Sequence, residues 1–65
     1  MTHKQYQQLI DNSIRDYRTA KLNGDKNKIE MAINRMENVF ICVSPWKVKG
    51  TEKLRQTILK AKGLA

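Results

Sequence analysis

Residues 25–43, DKNKIEMAINRMENVFICV, decide the fold. Ile29, Ala32, Ile33, Met36, Val39, Phe40 and Val43 recur every three or four residues, the interval that stacks side chains on one helix face. The last five residues, VFICV, are rich in β-branched side chains and in isolation suit a strand. They continue the stripe begun at Ile29, so the spacing predicts one helix from about residue 27 to 43. Asp25 or Asn27 can cap its start, and Asn27 to Glu30 has capping-box spacing. Pro45 ends it, because the residue before a proline, Ser44, is pushed away from helical geometry.

Upstream, Tyr6, Leu9, Ile10, Ile14, Tyr17 and Ala20 fall at helical spacing, with Ser13 on the same face. THKQ, residues 2–5, reads as a capping box, and Asn23-Gly24 supplies a stop. Asp11 and Arg15 are spaced for an i,i+4 pair. A first helix is predicted over about residues 3–22. Only a few residues separate it from the second, so the two should fold back as an antiparallel hairpin. Downstream, Leu54, Ile58 and Ala61 share a face, Thr51 is the expected N-cap and Gly63 the stop. That third helix, about residues 51–62, has a thin apolar strip and needs docking to form, since about a dozen residues are barely helical alone. The expected fold is all-α: residues 1–65 as a single helical domain, a three-helix bundle with the short basic helix packed across the hairpin.

Size and charge bound the function. A chain of 65 residues buries only about 60% of its unfolded surface, which leaves little room for a deep pocket. Residues 1–43 carry seven basic and five acidic side chains, and residues 44–65 carry six and one, so the net charge is +2 and +5 respectively. That asymmetry favours an anionic partner for the C-terminal third. The single cysteine, Cys42, cannot close an internal disulfide, and it is expected to pack as a small hydrophobe. No apolar run reaches membrane-spanning length. A cytoplasmic protein is the expectation.

VSPWKVKG, residues 43–50, joins the second and third helices and holds the only proline and the only tryptophan. Two readings of Trp46 stay open. It can fold over the bundle end as a lid, with Val48 beside it, since an aromatic contributes about 150–250 Å2 of burial. Or it can stand on the surface, where bases stack on its ring while Lys47 and Lys49 meet phosphates. On the third helix, about 100° per residue places Lys53 and Lys60 on one border of the apolar strip. Arg55 and Lys62 fall on the other border, and Glu52, Gln56 and Leu59 face outward. These cations either snorkel over apolar surface or form a patch with Lys47 and Lys49 that Arg15 and Arg18 extend. A helix-turn-helix is disfavoured, because the Ser44–Gly50 connection is longer than that motif's turn.

Catalytic signals are lacking. His3 sits at a helix start, where a solvated role is expected, and the carboxylates are dispersed along the chain. No Cys, His, Asp or Glu spacing suits a metal, and NGDKN is no phosphate loop. The chain is therefore expected to be no enzyme and to need no cofactor. It should bind nucleic acid, DNA or RNA, by backbone and shape through Trp46, Lys47, Lys49, Lys53, Arg55, Lys60 and Lys62. Its size and charge suit an accessory factor of a phage or mobile element in replication, recombination or transcription. The rival expectation is an adaptor or inhibitor that docks on an acidic protein, and a homodimer that completes the thin core is a further partner to consider. A membrane-surface role is disfavoured by the narrow apolar face of the third helix.

Overall fold

The computed structural model describes residues 2–63. Three helices follow in order, α1 (His3–Asn23), α2 (Lys26–Val43) and α3 (Thr51–Ala61), and a 3-10 turn, Ser44–Trp46, lies between the last two. No strand occurs among the described residues, so VFICV completes α2 as a helix.

Local chemistry sets the boundaries. The Thr2 hydroxyl accepts from the Gln5 amide at 3.3 Å, and the Gln5 side chain accepts from the Thr2 amide at 2.9 Å. This capping box satisfies donors that the first turn of a helix leaves unpaired. Gly24 takes the left-handed conformation, φ 70°, and its N–H closes α1 on Ala20 and Lys21. Asp25 caps α2 by accepting from Asn27 and Lys28. With only Gly24 and Asp25 between them, α1 and α2 pack against each other along their lengths as an antiparallel hairpin.

The joint after α2 differs from expectation in two ways. Ser44 stays helical, φ −54° and ψ −45°. The bias against helix before proline is overridden because the chain tightens into a 3-10 turn, whose early positions need no N–H from Pro45. The reversal falls instead on Lys47, which is left-handed at φ 51°. Thr51 does not cap α3. The cap position is Gly50, φ 98°, and the Thr51 hydroxyl donates back to the Val48 carbonyl at 2.6 Å.

The core is built from Tyr6, Ile10 and Ile14 of α1, Met36 and Val43 of α2, Val48 of the joint, and Leu54 and Ile58 of α3. Buried Ser13 is satisfied by donating to the Ile10 carbonyl at 2.8 Å. α3 leans more on α2 than on α1 and runs back along it, with its last turn tied to α2 by a Lys62–Glu37 ion pair at 3.0 Å. At about 1.5 Å per residue, α3 spans about half the length of α1. The molecule measures 33 × 21 × 14 Å, and its long axis is set by the hairpin. Toward the Gly24 turn the body is therefore only two helices thick. There the small side chains of Ala20 and Ala32 are buried between α1 and α2, and Asp16 is bridged to Arg35 at 3.0 Å.

Candidate nucleic-acid interface

The joint holds the centre of the candidate site. Trp46 is 58% exposed, whereas Val48 is 3% exposed and fills the end of the core. The lid is thus Val48. The smaller side chain fits the gap left by α3, and the tryptophan ring lies outside it. Trp46 is not loose, however. Its ring stacks on Tyr6 at 6.3 Å between centroids and 19° between planes, within the range of a favourable aromatic pair. Tyr6 is itself nearly buried, so the outermost layer of the core supports one side of the indole.

The six cations of residues 44–65 divide into two groups. Arg55 holds Glu52 through two hydrogen bonds, Nε at 3.2 Å and Nη2 at 2.6 Å, while Gln56 donates to the same carboxylate at 3.2 Å. The Arg55 hydrogen bond and then that from Gln56 hold the Glu52 carboxyl below its ordinary pKa, and Glu52 raises that of Arg55. With Lys62 bound to Glu37, the border of α3 that faces α2 is largely neutralised. Lys47, Lys49, Lys53 and Lys60 are exposed, and among the described residues none of them takes part in an ion pair. At about 100° per residue Lys53 and Lys60 fall on the border of α3 opposite Arg55 and Lys62, and Lys47 and Lys49 belong to the joint that carries Trp46. Arg15 lies on the far side of α1 from the buried stripe and donates to Asn12 rather than to Asp11, so it adds nothing to this group.

Two other side chains depart from expectation. Cys42 is exposed, because one residue before Val43 rotates it about 100° off the buried stripe. Leu59 is half-buried rather than outward, since it lies across a groove from Glu37, Phe40 and Ile41 of α2. With Glu37, Phe40, Ile41, Arg55 and Ile58 it lines a shallow groove of about 270 Å3, beside which Ile41 is 70% exposed. The exposure of Ile41 carries no signal in the helical stripe and depends on where α3 ends up. Among the described residues no three His, Cys, Asp or Glu side chains gather where they could share a metal ion, and no helix is long and apolar enough to cross a membrane.

No family model, curated protein or solved structure matches this chain.

Proposed function

We propose that the chain is a small, non-enzymatic nucleic-acid-binding protein that holds the phosphate backbone through Lys47, Lys49, Lys53 and Lys60. The observation that carries this reading is the division of the cations. These four lysines have no carboxylate partner among the described residues, while Arg55 and Lys62 are occupied by Glu52 and Glu37. A phosphate approaching the first group displaces only counterions, whereas at the second it competes with a carboxylate. Arg55 and Lys62 are accordingly the secondary members of the interface. The reading fits a cytoplasmic accessory factor, of phage or mobile-element type, that works on DNA or RNA without reading a sequence.

The test is a salt titration of binding to DNA. Neutralising about four phosphates gives a slope of log K against log salt of about −3 to −4. Affinity then falls by about a hundredfold between about 50 and 200 mM salt. An acidic partner docked over the Ile41 groove has an apolar centre and should show a much shallower slope. A flat slope, or no binding to DNA at low salt, counts against the proposal.

Lys47 allows charge to be separated from folding. A side chain in the left-handed region is strained by about 1–2 kcal/mol, and glycine is not. Lys47 has φ 51° and ψ 43°. After allowance for the greater freedom of glycine in the unfolded chain, Lys47→Gly should raise stability by about 0.5–1 kcal/mol. The same substitution should weaken DNA binding and make the salt slope shallower by about 0.7–0.9. Urea denaturation and a binding titration read the two opposite signs. A variant both less stable and equally tight would mean that the Lys47 side chain packs and does not bind.

A further inference from the structure

We infer that the open face of Trp46 takes an unpaired nucleobase, so that the partner is single-stranded nucleic acid. This rests on the nucleic-acid reading above and narrows it.

The ring is presented in a particular way. Here the ring is backed on one side by Tyr6, at 19° between planes, and the residue is 58% exposed. Tyr6 is committed to the core, so Trp46 is the one aromatic ring of the joint with a side left open. A flat face of this kind matches a base, and bases in a duplex are already stacked on both sides. Only an unpaired base is free to occupy it.

The surroundings fit the backbone attached to that base. Lys47 adjoins the tryptophan, and Lys49 follows within about 11 Å of chain. The first turn of α1, which bears Tyr6, contains no acidic residue. The positive end of that helix therefore faces no carboxylate of its own. Lys53 and Lys60 are exposed about two turns apart on one border of α3, a spacing that suits a strand of several nucleotides. Stacking reads the ring of the base and not the sugar, so single-stranded DNA and RNA should bind alike.

The experiment compares an unlabelled mixed-sequence oligonucleotide of about 12 nucleotides with a long blunt duplex in which end bases are a negligible fraction. Both are titrated into the full chain with Trp46 emission as the readout, and into the full chain, Trp46→Leu and Trp46→Phe by isothermal titration calorimetry, since the variants lack the only tryptophan. Leucine keeps apolar cover over Tyr6, and circular dichroism checks that each variant is folded. The oligonucleotide should quench Trp46 emission strongly, and the duplex should leave it nearly unchanged. Trp46→Leu should weaken single-strand binding by about 5- to 150-fold, the range for loss of one stacked base, with partial recovery in Trp46→Phe. Duplex binding should move by no more than about twofold, since the phosphate contacts remain.

Equal binding of strand and duplex, with emission indifferent to both, overturns this inference and leaves the backbone-binding proposal standing. Tight binding of an acidic peptide such as poly-glutamate with the same Trp46 dependence overturns it in favour of a protein partner. Failure to bind either nucleic acid at low salt overturns both proposals. The quenching arm uses the unaltered chain, so the test holds even if a variant fails to fold.

Discussion

Leu54→Ala should destabilise the protein by about 2–5 kcal/mol, the range for truncating a buried leucine. A domain of this length has only about 3–10 kcal/mol in all, so the variant is expected to sit close to unfolding at room temperature. Leu54 is fully buried, and with Ile58 it is one of only two buried side chains on α3. The helix spans 11 residues and has little stability of its own. Losing this anchor therefore undocks the element that carries Lys53 and Lys60. It also opens the core cluster that Leu54 shares with Met36 and Val43, both fully buried. Urea denaturation followed by far-ultraviolet circular dichroism checks the effect. Leu22→Ala is the control, because Leu22 is 88% exposed and should shift the midpoint little. Similar midpoints for the two variants would show that α3 is not held through Leu54.

The second large effect is on binding. Replacing Lys47, Lys49, Lys53 and Lys60 together by glutamine should weaken DNA binding by about three orders of magnitude at about 0.1 M salt. The figure follows from counterion release, which supplies about 0.7–0.9 of a decade per phosphate contact for each tenfold dilution of salt. The substitution lowers the net charge from +7 to +3, four charges fewer. It removes no ion pair among the described residues, so folding should be unharmed. Arg55→Gln with Lys62→Gln is the matched comparison. Those two side chains are engaged with Glu52 and Glu37, and their loss should cost far less binding per charge. Binding that falls equally per charge in both variants would mean that the carboxylates yield readily and that all six cations act together.

What could be read from the sequence was local. The capping box at Thr2, the left-handed stop at Gly24 and the stripe from Ile29 to Val43 each depend on residues within a few positions of one another. These placed the helices and the hairpin. The stripe also overruled the β-branched run at its end, because a helix face buried over its whole length outweighs the preference of a few residues.

What could not be read depends on the angle at which α3 docks. Trp46 and Val48 are both apolar and only two positions apart, and the docked helix leaves room for the smaller one. Leu59 differs for a related reason, since a helical wheel fixes positions about its own axis but not where a neighbouring helix lies, whereas the exposure of Cys42 follows from its own place about 100° off the buried stripe. The pairing of Lys62 with Glu37 joins residues far apart in the chain, whereas Glu52, three positions before Arg55, was a local partner that the helical wheel alone did not single out. Seven residues read together as one surface thus became four unpaired lysines, two paired cations and one supported ring.

The half-length of α3 has a consequence for handling the molecule. Residues around Gly24 lie at the end where the body is two helices thick, away from Trp46 and from the basic border. Gly24 has open space around its α-carbon, and its neighbours Leu22, Asn23 and Asp25 are exposed. Extra chain in such a tip is tolerated when it disturbs neither burial nor a needed hydrogen bond. The bonds to respect are those that close α1 at Gly24 and open α2 at Asp25. A dye, an affinity tag or a fused domain inserted between those two residues would leave the opposite end free to meet its partner.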